Sequence, residues 1–495
     1  MSSPPVTPVD EFPTDTSMWR VLPPDGPLVP GDYGPLNHAR VAVKDLFAVA
    51  GQQIGAGNPA WLAEAPVETS HADAVTALLN AGADITGMAL TDELAFSLEG
   101  ANIHYGAVPN PVAPQHLCGG SSSGPAAAVA AGVADIGLGT DTAGSIRVPA
   151  SYCGLYGLRT THDAVSRTGL LGLAPSFDTV GLLTRDLDLL TRAADALLPP
   201  QPRHPITTIL LAPSLIDLLP ESARTLFTAA VHALGVEVRP VEVPLPDLSE
   251  ATDPGPDRPA RDSVPAEIDD AATGIGPEVA VSRSALPADP APPAVASAPS
   301  PDVASASSTH TASAPPPHTV STSLPHGPGL PSPPSSDRPD RPASTEALTA
   351  VLAAFRAVQA AEAWRLHGDF VTKHPGALAP EIAARFEFGR SVTPATEAEA
   401  REVLRRTAKA WHAALPSGTA FALPAAASPA PHRNADPATV ESTRQATLRL
   451  TCHASLAGLP ALTLPGPQLD GLPLGLCLLA GPGQDRSLLS FAARS

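Results

Sequence analysis

The chain has 495 residues, enough for more than one average domain, and carries a formal net charge of −19. That acidic balance argues against nucleic acid and against an anionic membrane surface as partners. Sixty prolines with only 4% aromatic residues mean that part of the chain cannot be packed core.

Taken in order, residues 1–37 are Pro-rich and polar and read as a loosely attached N-terminal arm. Arg40–Phe47 reads as a short strand that carries Lys44 among Val41, Val43, Leu46 and Phe47. His71–Asn80 has helical apolar spacing and stops before Gly82, and Ala83–Leu90 reads as a buried strand followed by a helix start at Thr91-Asp92-Glu93. An Ala-rich run at Pro125–Gly132 predicts a closely packed helix, and Val133–Leu138 a core strand. Leu183–Leu198 and Glu221–Gly235 read as helices, and Ile206–Ala212 and Val236–Val243 as strands. Strands alternating with helices predict an α/β fold.

Composition then breaks. Residues 247–343 are Pro, Ala, Ser and Asp with almost no large apolar side chain, too few to offset ordering entropy, and read as a disordered insertion. Because loop closure costs only about 0.6 kcal/mol per doubling of length, the flanking pieces 38–246 and 344–495 are expected to fold as one domain. Helical patterning resumes at Ser344–Phe370 and again at Glu397–Leu415, and Phe421–Pro424, Ala457–Pro460 and Gly471–Gly475 read as closing strands and loops.

Chemistry concentrates at residues 117–160. A Gly/Ser loop, Gly119–Gly124, precedes the Ala-rich run, and a second tight loop, Gly139-Thr-Asp-Thr-Ala-Gly-Ser145, follows it. Small residues at this density let backbone amides converge on one space, which suits an anion or an oxyanion. Ser121 and Ser145 sit in the two loops, and Lys44 lies upstream in an apolar context. Lysine, two serines and an amide cradle are the parts of an acyl-transfer site without histidine. A phosphate-loop reading is weak, because no Lys-Ser/Thr follows the glycines.

The pattern Gly-Gly-Ser-Ser, Ala-rich helix, Gly-Thr-Asp-x-x-Gly-Ser-x-Arg-x-Pro resembles the amidase signature family, and most closely the short plant and bacterial amidases that include indole-3-acetamide hydrolases. GNPAW at Gly57–Trp61, TDELAFS at Thr91–Ser97, RVPASYCG at Arg147–Gly154 and APSFDTVG at Ala174–Gly181 extend the likeness. The resemblance implies a central mixed β-sheet covered by helices on both faces. It implies Ser145 as nucleophile, Ser121 as a bridging serine after a cis peptide bond, and Lys44 as the base. The backbone amides of Thr142, Ala143, Gly144 and Ser145 would form the oxyanion hole, and Ser122, Asp141 and Arg147 would hold the two loops. The implied activity is hydrolysis of the linear amide of a small carboxamide, an arylacetamide being one candidate, with no cofactor. Two other readings stay open: a glutaminase subunit of a tRNA-dependent amidotransferase, and a catalytically silent amidase-like binding module.

Lys44 must be neutral to act as a base, so burial has to lower its ordinary pKa of about 10.4. Two departures from the family pattern stand out. Ala143 occupies a usual glycine, which would strain the loop if that position needs positive φ, and Thr160 follows Arg159 where proline is usual. Cys118, Cys153, Cys452 and Cys477 show no metal spacing and fit a reduced cytoplasmic protein, and neither Cys118 nor Cys153 is expected to be a nucleophile. His104, His116 and His453 read as surface or satisfied core residues. The N-terminus lacks a leader pattern, and no apolar run reaches the ~18 residues of a membrane helix. Homodimerisation is left open.

Overall fold

The computed structural model describes residues 17–246 and 342–494. Three parallel strands come first in the argument, because their carboxyl ends meet. Arg40–Lys44 lies between Asp84–Ala89 and Ile136–Asp141, parallel to both. Val41 to Val43 are fully buried, as a continuous apolar run between two covered faces requires. Around them the sheet grows to eleven strands. Edge to edge these are Trp19–Val21, Asp84–Ala89, Arg40–Lys44, Ile136–Asp141, Thr179–Thr184, Tyr156–Arg159, Ala461–Leu464, Leu476–Leu479, Thr419–Pro424, Thr208–Leu211 and Glu237–Pro240. Pairing is mixed: the centre, from Ile136–Asp141 across to Thr419–Pro424, is antiparallel, and the Thr208–Leu211 end is parallel again.

Alternation along the strands feeds two layers. In Thr419–Pro424, Ala420 and Ala422 enter one apolar core and Phe421 and Leu423 another. Leu476–Leu479 divides the same way. Helices Asp73–Asn80, Leu187–Leu197 and Glu221–His232 close the first core, through Val75, Leu78, Leu190 and Phe227. Helix Pro437–Leu456 and the first half of Pro342–Lys373 close the second. The Ala-rich helix, Ser123–Ala130, lies against the sheet with Ala126, Ala127 and Ala128 wholly buried. The fold is the expected mixed sheet with helices on both faces.

Several local expectations shift. Residues 17–37, read as part of a loose arm, include an edge strand antiparallel to Asp84–Ala89 and the buried Met18, Trp19 and Leu36. Apolar anchors override the proline content there. Thr179–Thr184 is a central strand, so the helix expected from Leu183 starts only at Leu187, where the Asp186 carboxylate accepts from the Leu189 amide. The core strand expected at 133–138 is Ile136–Asp141. The helix start at Thr91–Glu93 is a short turn, Glu93–Ala95, with positive φ at Leu94 and Ala95. The expected 247–343 insertion lies outside the described residues apart from 342 and 343, which begin helix Pro342–Lys373. Among the described residues no helix is long and apolar enough to cross a membrane.

Candidate active site

Parallel strand ends place the site. Val43 pairs with Leu138 and Lys44 with Ala89, so Lys44, the loop after Ala89 and the loop after Asp141 emerge side by side. Ligands in α/β sheets bind at such carboxyl ends. The helix Ser123–Ala130 begins at the same edge and brings Ser121 and Ser122 with it.

Lys44 Nζ donates to Ser121 Oγ at 2.8 Å and to Thr140 Oγ1 at 2.8 Å. Ser121 Oγ donates in turn to Ser145 Oγ at 3.0 Å. All three residues are at most 2% exposed, and the Gly120–Ser121 peptide is cis. The three residues thus form one unbroken hydrogen-bonded line. Burial pushes the Lys44 ammonium down to about 7, against the pull of Asp92, Asp141 and Asp178. Asp45, the next residue, turns away and is paired with Arg20, whose Nη2 donates to Oδ1 at 2.8 Å.

The second loop is tied at each residue. Thr142 Oγ1 donates to Asp178 Oδ1 at 2.6 Å, and the Ala143 carbonyl accepts from Thr451 Oγ1 at 2.6 Å. Gly144 N–H donates to Asp141 Oδ1 at 2.9 Å. That removes Gly144 from the expected oxyanion donors: the Asp141 carboxylate, at the head of the loop, collects its amide as well as that of Ile146. Among the described residues the Thr142, Ala143 and Ser145 amides have no such acceptor, and these three remain the candidates for an oxyanion cradle. Ser122 Oγ donates to the Thr140 carbonyl at 3.1 Å, and Arg147 grips Asp141 through Nε at 3.0 Å and Nη2 at 2.8 Å. Although burial alone would raise it, the Arg147 and Arg159 guanidiniums hold the Asp141 carboxyl well below the usual carboxylate range.

Neither departure from the family pattern disturbs the site. Positive φ falls on Gly144, at +129°, and not on Ala143. Ala143→Gly is therefore expected to relieve nothing and to lower stability by about 0.4–1 kcal/mol through the unfolded state, read from denaturant midpoints. Thr160 uses its hydroxyl to reach the Val180 carbonyl at 2.8 Å.

Other sequence expectations land elsewhere. Cys118 and Cys153 are free, buried and 3.4 Å apart, and the contact with Cys153, together with burial, holds the Cys118 thiol well above its ordinary range. His104 Nε2 meets Glu93 Oε1 at 2.7 Å. His453 is a core residue, 1% exposed, and burial lowers it to about 4 against the pull of the Arg449 backbone. Among the described residues no set of three His, Cys, Asp or Glu could hold a metal ion.

Asp92, Thr140, Asp178 and Thr451 belong to the site and were not assigned from sequence. Asp92 and Asp178 stand inside the TDELAFS and APSFDTVG stretches, which is the one signal that pointed to them.

Comparisons with known proteins point the same way. The family model described as Amidase matches residues 31–243. Amidase 1 of Arabidopsis thaliana is 50% identical over 165 residues, covering 33% of this chain and 39% of that protein. A Pisum sativum protein named translocon at the outer membrane of chloroplasts 64 is 42% identical over 179 residues, covering 36% of this chain and 30% of its own. The chain thus spans about two fifths or less of the length of these curated relatives. A solved structure titled crystal structure of amidase superposes with a TM-score of 0.67 at 25% identity, over 93% of this chain and 85% of that one.

Proposed function

Residues 31–243 belong to the amidase family, and on that premise we propose that this protein hydrolyses the linear amide bond of small carboxamides through an acyl-enzyme on Ser145. The unbroken line Lys44–Ser121–Ser145, with contacts of 2.8 and 3.0 Å, carries the reading.

An amide carbonyl is a poor electrophile, so the site must supply a nucleophile, oxyanion donors and an acid for the leaving amine. With Lys44 neutral, the two hydroxyl protons turn toward it, because a hydroxyl can donate or accept. Ser145 Oγ attacks the carbonyl carbon while its proton passes to Ser121 and the Ser121 proton to Lys44. The carbonyl oxygen takes up the negative charge and meets the Thr142, Ala143 and Ser145 amides, one such donor being worth about 3–4 kcal/mol in a transition state. The C–N bond breaks as Ser121 protonates the departing nitrogen and regains a proton from Lys44. Water then attacks the ester by the same relay, releasing the acid and freeing Ser145.

An arylacetamide is one acyl group that the motif resemblance implies, and aromatic side chains pack in the apolar cluster that includes Ala143 of the Ser145 loop. Phe177 and Phe355 stack with ring centroids 4.6 Å apart, in the same apolar cluster as Ala143 and Tyr152. Free thiols at all four cysteines support a reducing, cytoplasmic setting.

The test is ammonia release from a panel of alkyl- and arylacetamides. Ser145→Ala should abolish turnover and also the labelling of the wild type by a fluorophosphonate. A folded wild type that neither releases ammonia nor takes the label would refute the reading. The pH dependence is a second check. Lys44 is active when neutral and its ammonium titrates at about 7, so kcat/KM should rise with pH through a limb centred there.

A further inference from the structure

Below the Ser121 loop lies a carboxylate that the relay does not use. Asp92 follows the strand Asp84–Ala89 and is 1% exposed. Its Oδ2 accepts from the Glu99 amide at 3.1 Å and the Gly100 amide at 3.0 Å, and its Oδ1 accepts from Ser123 Oγ at 3.1 Å. Burial raises the Asp92 carboxyl above its ordinary value, while the Gly100 amide, Lys44 and Ser123 pull it down, and three donors with no facing acceptor favour the ionised form. The main chain beside it grips the bridging serine directly. The Ser121 carbonyl accepts from Asp92 N–H at 3.3 Å and from Thr91 Oγ1 at 2.9 Å. Gly120 lies flat on the carboxylate, where an added Cβ would stand 2.1 Å from Asp92 Oδ2. The Thr91–Asp92 pair therefore holds residues 121 and 123 by hydrogen bonds and packs against residue 120.

We propose that Asp92 is a positioning residue for the relay: it fixes the Ser121 loop from beneath and places a fixed negative charge behind Lys44. The proposal rests on the amide-hydrolase reading above and adds to it a residue outside the Lys44–Ser121–Ser145 line. Lys44 faces three carboxylates. Asp92 comes from the loop after Asp84–Ala89, Asp141 from the end of its neighbouring strand and Asp178 from the start of Thr179–Thr184. Asp141 is already paired with Arg147 and Arg159. Asp178 is tied to Thr142 and to the Leu173 and Ala174 amides. Among the described residues Asp92 forms no ion pair with a cation, and besides Lys44 it faces Glu99 and the Cys118 thiol. Its charge is thus the one least compensated near the amine.

The sign of its effect follows. A carboxylate favours the ammonium, so Asp92 keeps Lys44 higher than burial alone would. Asp92→Asn keeps the shape, removes the charge and should move the acid limb of kcat/KM to lower pH. It should also lower kcat about 10- to 100-fold with KM within about threefold, since a misplaced relay slows chemistry and not binding. Loss of a merely structural contact would lower the amount of folded enzyme and leave the limb in place. Nitrogen-15 titration of the Lys44 amine reads the same shift without substrate, so it decides on Asp92 even if no amide on the panel is hydrolysed. A folded Asp92→Asn protein with kcat within about twofold of wild type, or with an unmoved Lys44 titration, overturns the proposal. If Asp92→Asn does not fold, Thr91→Val and Ser123→Ala each retain the charge. Each should lower kcat about 3- to 10-fold with the limb unmoved, and wild-type kcat in both overturns it.

Discussion

Lys44→Met lowers kcat/KM about 10²- to 10⁴-fold, the usual worth of a positioned general base, and abolishes the acid limb near pH 7. Methionine keeps the length and apolar stem of lysine, so the buried slot stays filled. What disappears is the acceptor at the end of the Lys44–Ser121–Ser145 line. The oxyanion amides and the nucleophile remain, so turnover should be slow but above that of Ser145→Ala. Ammonia release under saturating and limiting substrate would show the loss in kcat, with KM little changed. An unaltered pH profile in Lys44→Met would mean that another group takes the Ser145 proton.

The same substitution should also leave a trace in stability. The folded-state value for Lys44 is lowered from 10.5 to about 7, so between those pH values the unfolded chain binds more protons than the folded one. Stability then rises with pH across that window. The wild type should gain on Lys44→Met as pH climbs from 7 towards 10.5, and the difference should be flat below 7. Urea midpoints of both proteins at pH 6, 8 and 9.5 give the comparison. The buried amine lowers folding stability at neutral pH, and in the proposed mechanism it supplies the base there, a trade common at catalytic positions.

How much of this could be read from residue order differs by feature, for physical reasons. The loops holding Ser121 and Ser145 are legible because local chemistry makes them: small residues, one after another, permit the turns and the converging amides. Lys44 is legible from its apolar neighbours, Val41 and Val43, which the strand buries. Asp92 and Asp178 are not, because each is one acidic residue among many, and only folding buries it against a loop. The helix Pro437–Leu456 was missed altogether. From Thr447 to Leu456 every residue but Arg449 is buried, so no apolar stripe with a 3.6-residue period exists to be seen. Its start was nonetheless written in Asp436-Pro437, where the Asp436 carboxylate accepts from the Thr439 amide at 2.9 Å. The Gly144 amide misled for a similar reason: a glycine before the nucleophile promises a free donor, and only the fold shows Asp141 taking it.

Arg147→Met should lower unfolding free energy by about 3–5 kcal/mol, the range for breaking a fully buried ion pair from one side. Arg147 and Asp141 are both wholly buried and meet through two parallel contacts of 3.0 and 2.8 Å. The same guanidinium donates Nη1 to the Thr451 carbonyl at 2.7 Å and Nη2 to Ser455 Oγ at 3.1 Å. One side chain therefore joins the Ser145 loop to the helix Pro437–Leu456, some three hundred residues away in sequence. Methionine fills much of the volume but leaves Asp141 with Arg159 as its remaining ion-pair partner among the described residues. Arg147→Lys should recover little, since an ammonium cannot present the planar fork that both carboxylate oxygens use. The loss also has a pH signature. Asp141 is held below its ordinary value in the folded protein, so it stabilises the fold above the unfolded value near 3.8, and that stability fades as pH falls through the folded one. Without Arg147 the folded value rises, so the acid-unfolding midpoint should move to higher pH. Urea melts at pH 7 measure the first effect and acid titration of circular dichroism the second. A variant with unchanged values in both would show that Arg159 alone suffices to hold the carboxylate, and the loop with it.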